Sequence, residues 1–94
     1  MRVTIPASTA ARALSTEILP PTKRKVNMKV QIFDPVTVYG AQQQNDLLSG
    51  VDAVGNPSRG LQFQQGIVDF LGITGPYFMT CNQQIEVEVQ WWPL

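Results

Sequence analysis

The sequence predicts a mainly β protein: a small antiparallel β-sandwich or barrel-like body behind an extended N-terminal arm with room for one short helix. Three observations favour this class. Apolar and polar residues alternate with period two in several segments, β-branched and aromatic residues are frequent in them, and glycine or proline separates them. A chain of 94 residues is one domain at most, so we divide it into a basic arm, residues 1–25, and a β-rich body, residues 26–94.

The arm begins as a short extended segment, after which Ser8 or Thr9 is placed to cap a helix over residues 10–19. Pro20 and Pro21 end that helix, because the residue before a proline is forced toward extended geometry. Since an isolated helix of this length is marginal in water, we expect the arm to lie against another surface. The apolar residues predicted to dock into a neighbouring subunit are Ile5, Leu14, Ile18 and Leu19.

The body opens with a predicted strand from residue 25, and a second β-branched and aromatic run covers residues 36–39. The inward-facing residues of the first strand are Val26, Met28, Val30 and Ile32. Residues 41–60 are predicted to form a long loop around an apolar pair, Leu47 and Leu48. Residues 61–71 are then predicted as a strand with a bend or bulge at Gly66.

The last two strands are predicted over residues 77–81 and 84–92, joined as a hairpin by Asn82 and Gln83. Residues of the final strand alternate between two faces, so its two indoles cannot enter one core. We expect Trp91 to pack inside with Ile85, Val87 and Val89. Trp92 is then expected to be exposed or covered by a partner. Cys81, the only cysteine, is predicted as a small buried residue on a strand.

Charge is scarce and unevenly distributed along the chain. Only 15% of residues are charged, and the ten Gln and four Asn supply much of the polarity. Residues 1–29 hold six basic residues against one acid, a net charge of +5, whereas residues 30–94 hold one against six, a net charge of −5. Amide side chains cover a surface without the desolvation cost of charges, which suits contact with a neighbouring protein.

The residue types present argue against catalysis. The chain has no histidine, which removes the usual general base and the usual metal ligand. The acids lie in separate turns or on an exposed strand face, without a motif that joins them. The segment 50–57 has two glycines spaced as in a P-loop but lacks its lysine and hydroxyl. We therefore predict no enzyme, no catalytic residue, no cofactor and no metal site.

The basic cluster Lys23, Arg24 and Lys25 has three interpretations. It could contact nucleic-acid phosphates, meet the acidic body of a neighbouring subunit, or form a solvated linker. Contact with a neighbour is favoured, because aromatic side chains for base stacking do not accompany the cluster. Together with Trp92 and the four apolar arm residues, these three cations complete the predicted partner-binding set.

These properties are typical of small virion proteins, such as minor capsid, cement or tail components of a bacteriophage. We predict a structural subunit that contacts copies of itself or larger structural proteins as a homo-oligomer or part of a hetero-assembly. The alternative is a nucleic-acid-binding module that uses the basic arm. Arg2 is not followed by the apolar segment of a signal peptide, so we expect none. No apolar run approaches the roughly 20 residues of a membrane span. The protein is therefore expected to be made in the cytoplasm and to work in an assembled virion.

Overall fold

The computed structural model describes residues 1–93, which form two four-stranded antiparallel sheets and one short helix. The strands are β1 (Arg2–Ile5), β2 (Thr16–Ile18), β3 (Val26–Ile32), β4 (Val38–Ala41), β5 (Leu61–Phe63), β6 (Gly66–Ile73), β7 (Tyr77–Thr80) and β8 (Ile85–Pro93). The helix α1 (Gln44–Leu48) lies between β4 and β5. The predicted mainly β class is confirmed.

The strands pair as one long hairpin that is rolled into a sandwich. β1 pairs with β8, β2 with β7, β3 with β6 and β4 with β5, all antiparallel. Rolling places β8 beside β3 in one sheet and β7 beside β4 in the other, so the sheet orders are β1-β8-β3-β6 and β2-β7-β4-β5. This topology is that of an eight-stranded jelly roll, in which two packed sheets enclose one core.

The core is built from the period-two alternation of the central strands. In β3 every second residue is buried and the residues between are half-exposed, as predicted. β8 lies beside β3 and buries Ile85, Val87 and Val89 in the same way. Since burying each such side chain contributes roughly 1.5–3 kcal/mol, the alternation decides which face of each strand turns inward.

A separate N-terminal arm is not clearly seen in the structure. Residues 1–25 contain β1 and β2, which pair with β8 and β7. Ile5 and Ile18 end these two strands and are fully buried in the core. Both strands are short, and their pairing partners lie more than 50 residues away in sequence, so no local pattern reveals them.

The helix predicted over residues 10–19 is wrong. Thr9 and Arg12 close a tight turn through reciprocal backbone hydrogen bonds of 3.0 and 3.2 Å. The backbone of Leu14 is then held by side chains: its N–H donates to Ser8 Oγ at 3.1 Å, and its carbonyl accepts from Thr80 Oγ1 at 2.5 Å. These contacts hold the segment in non-helical geometry and lead it into β2. The short helix instead occurs in the β4–β5 loop.

The buried hydroxyl of Thr80 provides a test of this anchoring. Thr80→Val should lower the free energy of unfolding by about 1–3 kcal/mol, because it leaves the Leu14 carbonyl without its partner. The measurement is urea unfolding of the full chain. Thr74→Val, at an exposed position, is the control and should change stability far less. Equal losses in the two variants would contradict the role given to the Thr80 hydroxyl.

The single bent strand predicted over residues 61–71 is instead two strands, and the break beside Gly66 marks a change of sheet. β5 ends at Phe63 in one sheet and β6 begins at Gly66 in the other. Gly66 has a φ of 129°, a conformation that residues with a Cβ rarely adopt, so glycine is required for the corner. The predicted 41–60 loop is found, with Leu47 of α1 fully buried beneath it.

The predicted C-terminal hairpin is wrong, although both of its strands exist. β7 belongs to the sheet that contains β2 and β4, whereas β8 lies between β1 and β3 in the other sheet. Residues 82–84 therefore carry the chain across the sandwich instead of closing a hairpin turn. Cys81, just before this crossing, is fully buried, as predicted. Its backbone forms an isolated parallel β-bridge with Ala7.

Candidate interaction site

The residues predicted to bind a partner occupy three different environments. Ile5 and Ile18 are core residues of the chain itself, which corrects the prediction that they dock into a neighbour. Leu14 is half-buried, with its backbone held by Ser8 and Thr80. The exposed members of the set are Leu19, Lys23, Arg24, Lys25 and Trp92. Of the apolar residues expected to form the docking face of a helix, only Ile18 lies in the sandwich interior.

Four of the exposed residues belong to the connection between β2 and β3, residues 19–25, which we name the basic loop. Leu19 is 60% exposed, and Pro20 and Pro21 follow it directly. Lys23, Arg24 and Lys25 are exposed, and none of them forms a salt bridge within residues 1–93. The loop therefore presents an apolar side chain and three cations to the surroundings.

The two terminal tryptophans lie on opposite faces of β8, as predicted. Trp91 packs against the core, whereas Trp92 is 42% exposed on the outer face of its sheet. The Lys29 ammonium lies 5.4 Å from the centre of the Trp92 ring, within range of a cation–π contact. Trp92 is thus held against its own sheet while part of its ring remains open.

The longest edge strand among residues 1–93 is β6, which sequence reasoning did not identify as a site. It is an eight-residue edge strand, whereas the edge strands of the second sheet, β2 and β5, have three residues each. Leu71 is 80% exposed and Ile67 is 57% exposed, and Asp69 is the only charged residue of β6. Natural edge strands are usually short, charged or covered, whereas this one is long, largely apolar and exposed.

A groove of about 880 Å³ runs beside the C-terminal half of β6. Its lining also includes the end of β4 and residues 74–76 of the β6–β7 turn. Phe70 and Tyr77 provide its aromatic surface, with their ring centres 4.8 Å apart. The acidic lining residues are Asp46 and Asp69, and Gln42 and Gln43 add amides. The groove therefore combines an aromatic surface with a negative rim.

Tyr77 is the group in this groove that lacks a polar partner. Its side chain is only 5% exposed, and its hydroxyl has no hydrogen-bond partner within residues 1–93. Burial raises the pKa of this hydroxyl to about 12. Gly40 makes room for the ring, because a Cβ there would lie 2.6 Å from Tyr77 Cε2 and 2.8 Å from Phe63 Cε2.

Two of the other carboxylates, Glu88 and Asp52, have structural partners. Glu88 forms an ion pair with the amino group of Met1 at 2.8 Å, and that hydrogen bond holds the pKa of Glu88 below its ordinary value. Asp52 Oδ1 accepts from the backbone N–H groups of Val54 and Asn56, which shapes the β4–β5 loop. Among residues 1–93, no three potential metal-ligating side chains come together, and no helix is long and apolar enough to cross a bilayer.

The fold and the groove define a small jelly-roll β-sandwich with one exposed, acidic-rimmed edge. Comparisons of the chain with protein-family models, with curated proteins and with solved structures give no match.

Proposed function

We propose that this chain is a non-catalytic structural subunit of a virion, such as a minor capsid, cement or tail component of a bacteriophage. It assembles with copies of itself or with larger structural proteins. The observation that carries the proposal is the long, apolar and exposed edge strand β6, with the groove beside it.

An edge strand of this kind favours association for two physical reasons. Its outer row of backbone N–H and C=O groups has no strand partner within the sheet, so another chain can add a strand there. Its exposed Ile67 and Leu71 side chains would then be removed from water, which stabilises the contact. A strand with these properties is costly to leave open in a protein that works alone.

The fold supports the virion setting at the level of architecture. Jelly rolls build viral capsid domains, and they also build lectins and cupins, so the topology alone does not select one function. The low charge and the amide-rich loops favour the structural role, because such surfaces are covered at little desolvation cost. On this proposal the protein is made in the cytoplasm and incorporated into the particle.

Leu71 gives a direct test of assembly through β6. Leu71→Lys should abolish or strongly weaken self-association, or capture of structural proteins, measured by light scattering and native mass spectrometry over a concentration series. Val54→Lys is the matched control, since Val54 is 62% exposed but lies in the β4–β5 loop away from the edge. A chain that stays monomeric without any partner, or equal effects of the two variants, would contradict the proposal.

The nucleic-acid-binding alternative keeps one specific support, the exposed basic loop. Three adjacent cations can neutralise phosphates, and binding would then weaken steeply as salt increases. No aromatic side chain lies within the loop for base stacking, which limits it to backbone contacts. Filter binding over a salt series distinguishes this function from protein assembly.

A further inference from the structure

We infer that the acidic groove beside β6 receives the basic loop of a second copy of this chain, and that two copies exchange loops reciprocally about a twofold axis. This inference rests on the proposed assembly function and names the partner at that edge. The basic loop is residues 19–25, and the groove is the one lined by Phe70, Tyr77, Asp46 and Asp69.

The loop and the groove lie at the same end of the sandwich. Ile18, just before the loop, pairs with Tyr77 of the groove, and Val26, just after it, pairs with Ile73 at the end of β6. No residue of the loop lines the groove of its own chain. A twofold axis near this end would bring each loop to the other copy's groove, which gives a closed and self-complementary contact.

The charges of the two surfaces are complementary. The loop carries Lys23, Arg24 and Lys25, all exposed. Asp46 and Asp69 line the groove. Each has one nearby cation of its own chain, which would compete only weakly with the loop of a second copy. Arg59 lies 3.8 Å from Asp46, with both side chains largely in solvent, and Lys29 is the cross-strand neighbour of Asp69. Opposite charge orients the approaching loop and sets its register.

The apolar and hydrogen-bonding features of the surfaces also match. Leu19 is 60% exposed and is followed by two prolines, which hold the backbone extended before binding. Aromatic-lined grooves are the usual docking sites for such proline-containing segments. The backbone carbonyls of the loop are acceptors, and the exposed amides of Gln42 and Gln43 on the groove are donors.

Charge reversal on each surface separately gives a decisive experiment with the full chain. The loop-reversed variant carries Lys23→Glu, Arg24→Glu and Lys25→Glu, and the groove-reversed variant carries Asp46→Lys and Asp69→Lys. Each variant alone should dimerise about 100-fold more weakly than the wild type, because like charges then face each other. Mixed in equal amounts, they should form a 1:1 heterodimer, since each loop then meets a groove of opposite charge.

Sedimentation velocity measures the dimerisation, native mass spectrometry identifies the heterodimer, and circular dichroism checks that both variants fold. Arg12→Glu and Glu86→Lys, exposed charges outside both surfaces, are controls that should leave dimerisation unchanged. A mixture that stays monomeric would overturn the inference. If the wild type assembles and Leu71→Lys disrupts it while both charge-reversed variants still assemble, the occupant is wrong and the assembly function stands. A monomeric wild type whose loop binds nucleic acid would overturn both.

Discussion

Ile18→Ala is expected to lower the free energy of unfolding by about 2–5 kcal/mol, because it opens a cavity in the hydrophobic core. Ile18 is fully buried at the end of β2 and belongs to the main core cluster. The total stability of a domain of this size is only about 5–15 kcal/mol, so the loss is a large fraction of it. Urea unfolding followed by circular dichroism measures the change.

The next residue in the chain is the matched control. Leu19 is similar in size but 60% exposed, so Leu19→Ala should change the free energy of unfolding by no more than about 0.5 kcal/mol. The two substitutions therefore separate a core role from a surface role within one segment. Similar small effects at both positions would mean that residues 1–25 are an appended arm after all.

The same reasoning predicts that removing residues 1–25 destabilises the rest of the chain. A detached arm would be lost without unfolding the body. In this structure the deletion removes β1 and β2, and with them the buried side chains of Ile5 and Ile18. It also exposes the edges of β8 and β7, which become unprotected templates for aggregation.

Alkaline pH should destabilise the wild-type protein through Tyr77. The pKa of its hydroxyl is about 12 in the folded chain and 10.0 for an ordinary tyrosine, so the folded state holds the proton more tightly. The corresponding stabilisation is fully present below pH 10 and is lost as the pH rises toward 12. The expected loss between these values is about 2–3 kcal/mol.

Tyr77→Phe isolates this contribution, because every other side chain is the same in the two proteins. The difference in unfolding free energy between wild type and variant is measured in urea at pH 7, 10 and 12. As the pH rises, this difference should shift by about 2–3 kcal/mol in favour of the variant. At pH 7 the variant should be at least as stable as the wild type, since the buried hydroxyl has no partner to lose. Parallel pH profiles would contradict the raised pKa of the Tyr77 hydroxyl in the folded protein.

Parts of the fold could be predicted from short segments. The alternation in β3 and β8, the inward Trp91 and outward Trp92, the buried Cys81 and the corner at Gly66 each depend on local patterns or on one residue's geometry. The errors occurred where local patterns were ambiguous. The 10–19 segment has helical spacing, yet buried Ser8 and Thr80 hold the Leu14 backbone from outside it.

The candidate site was predicted only in part. The exposure of Leu19, of the three cations in the basic loop and of Trp92 could be predicted from composition, from charge and from the two faces of the last strand. The groove was missed, because Gly40, Asp46, Phe70 and Tyr77 come from four different elements and carry no shared motif. The exposed edge of β6 was missed for a related reason. The order of the strands in a sheet decides which strand lies at its edge, and that order is not visible in a local segment.

The sequence by itself determined which sides of β3 and β8 face the core and that the chain contains no histidine. Those properties follow from the side chains themselves and from a period of two. The tertiary structure alone decided that β1 and β2 belong to the sandwich, that β7 and β8 lie in different sheets, and that β6 is left open. Pairing depends on the burial summed over contacts as distant as β1 with β8, and no local segment contains that information.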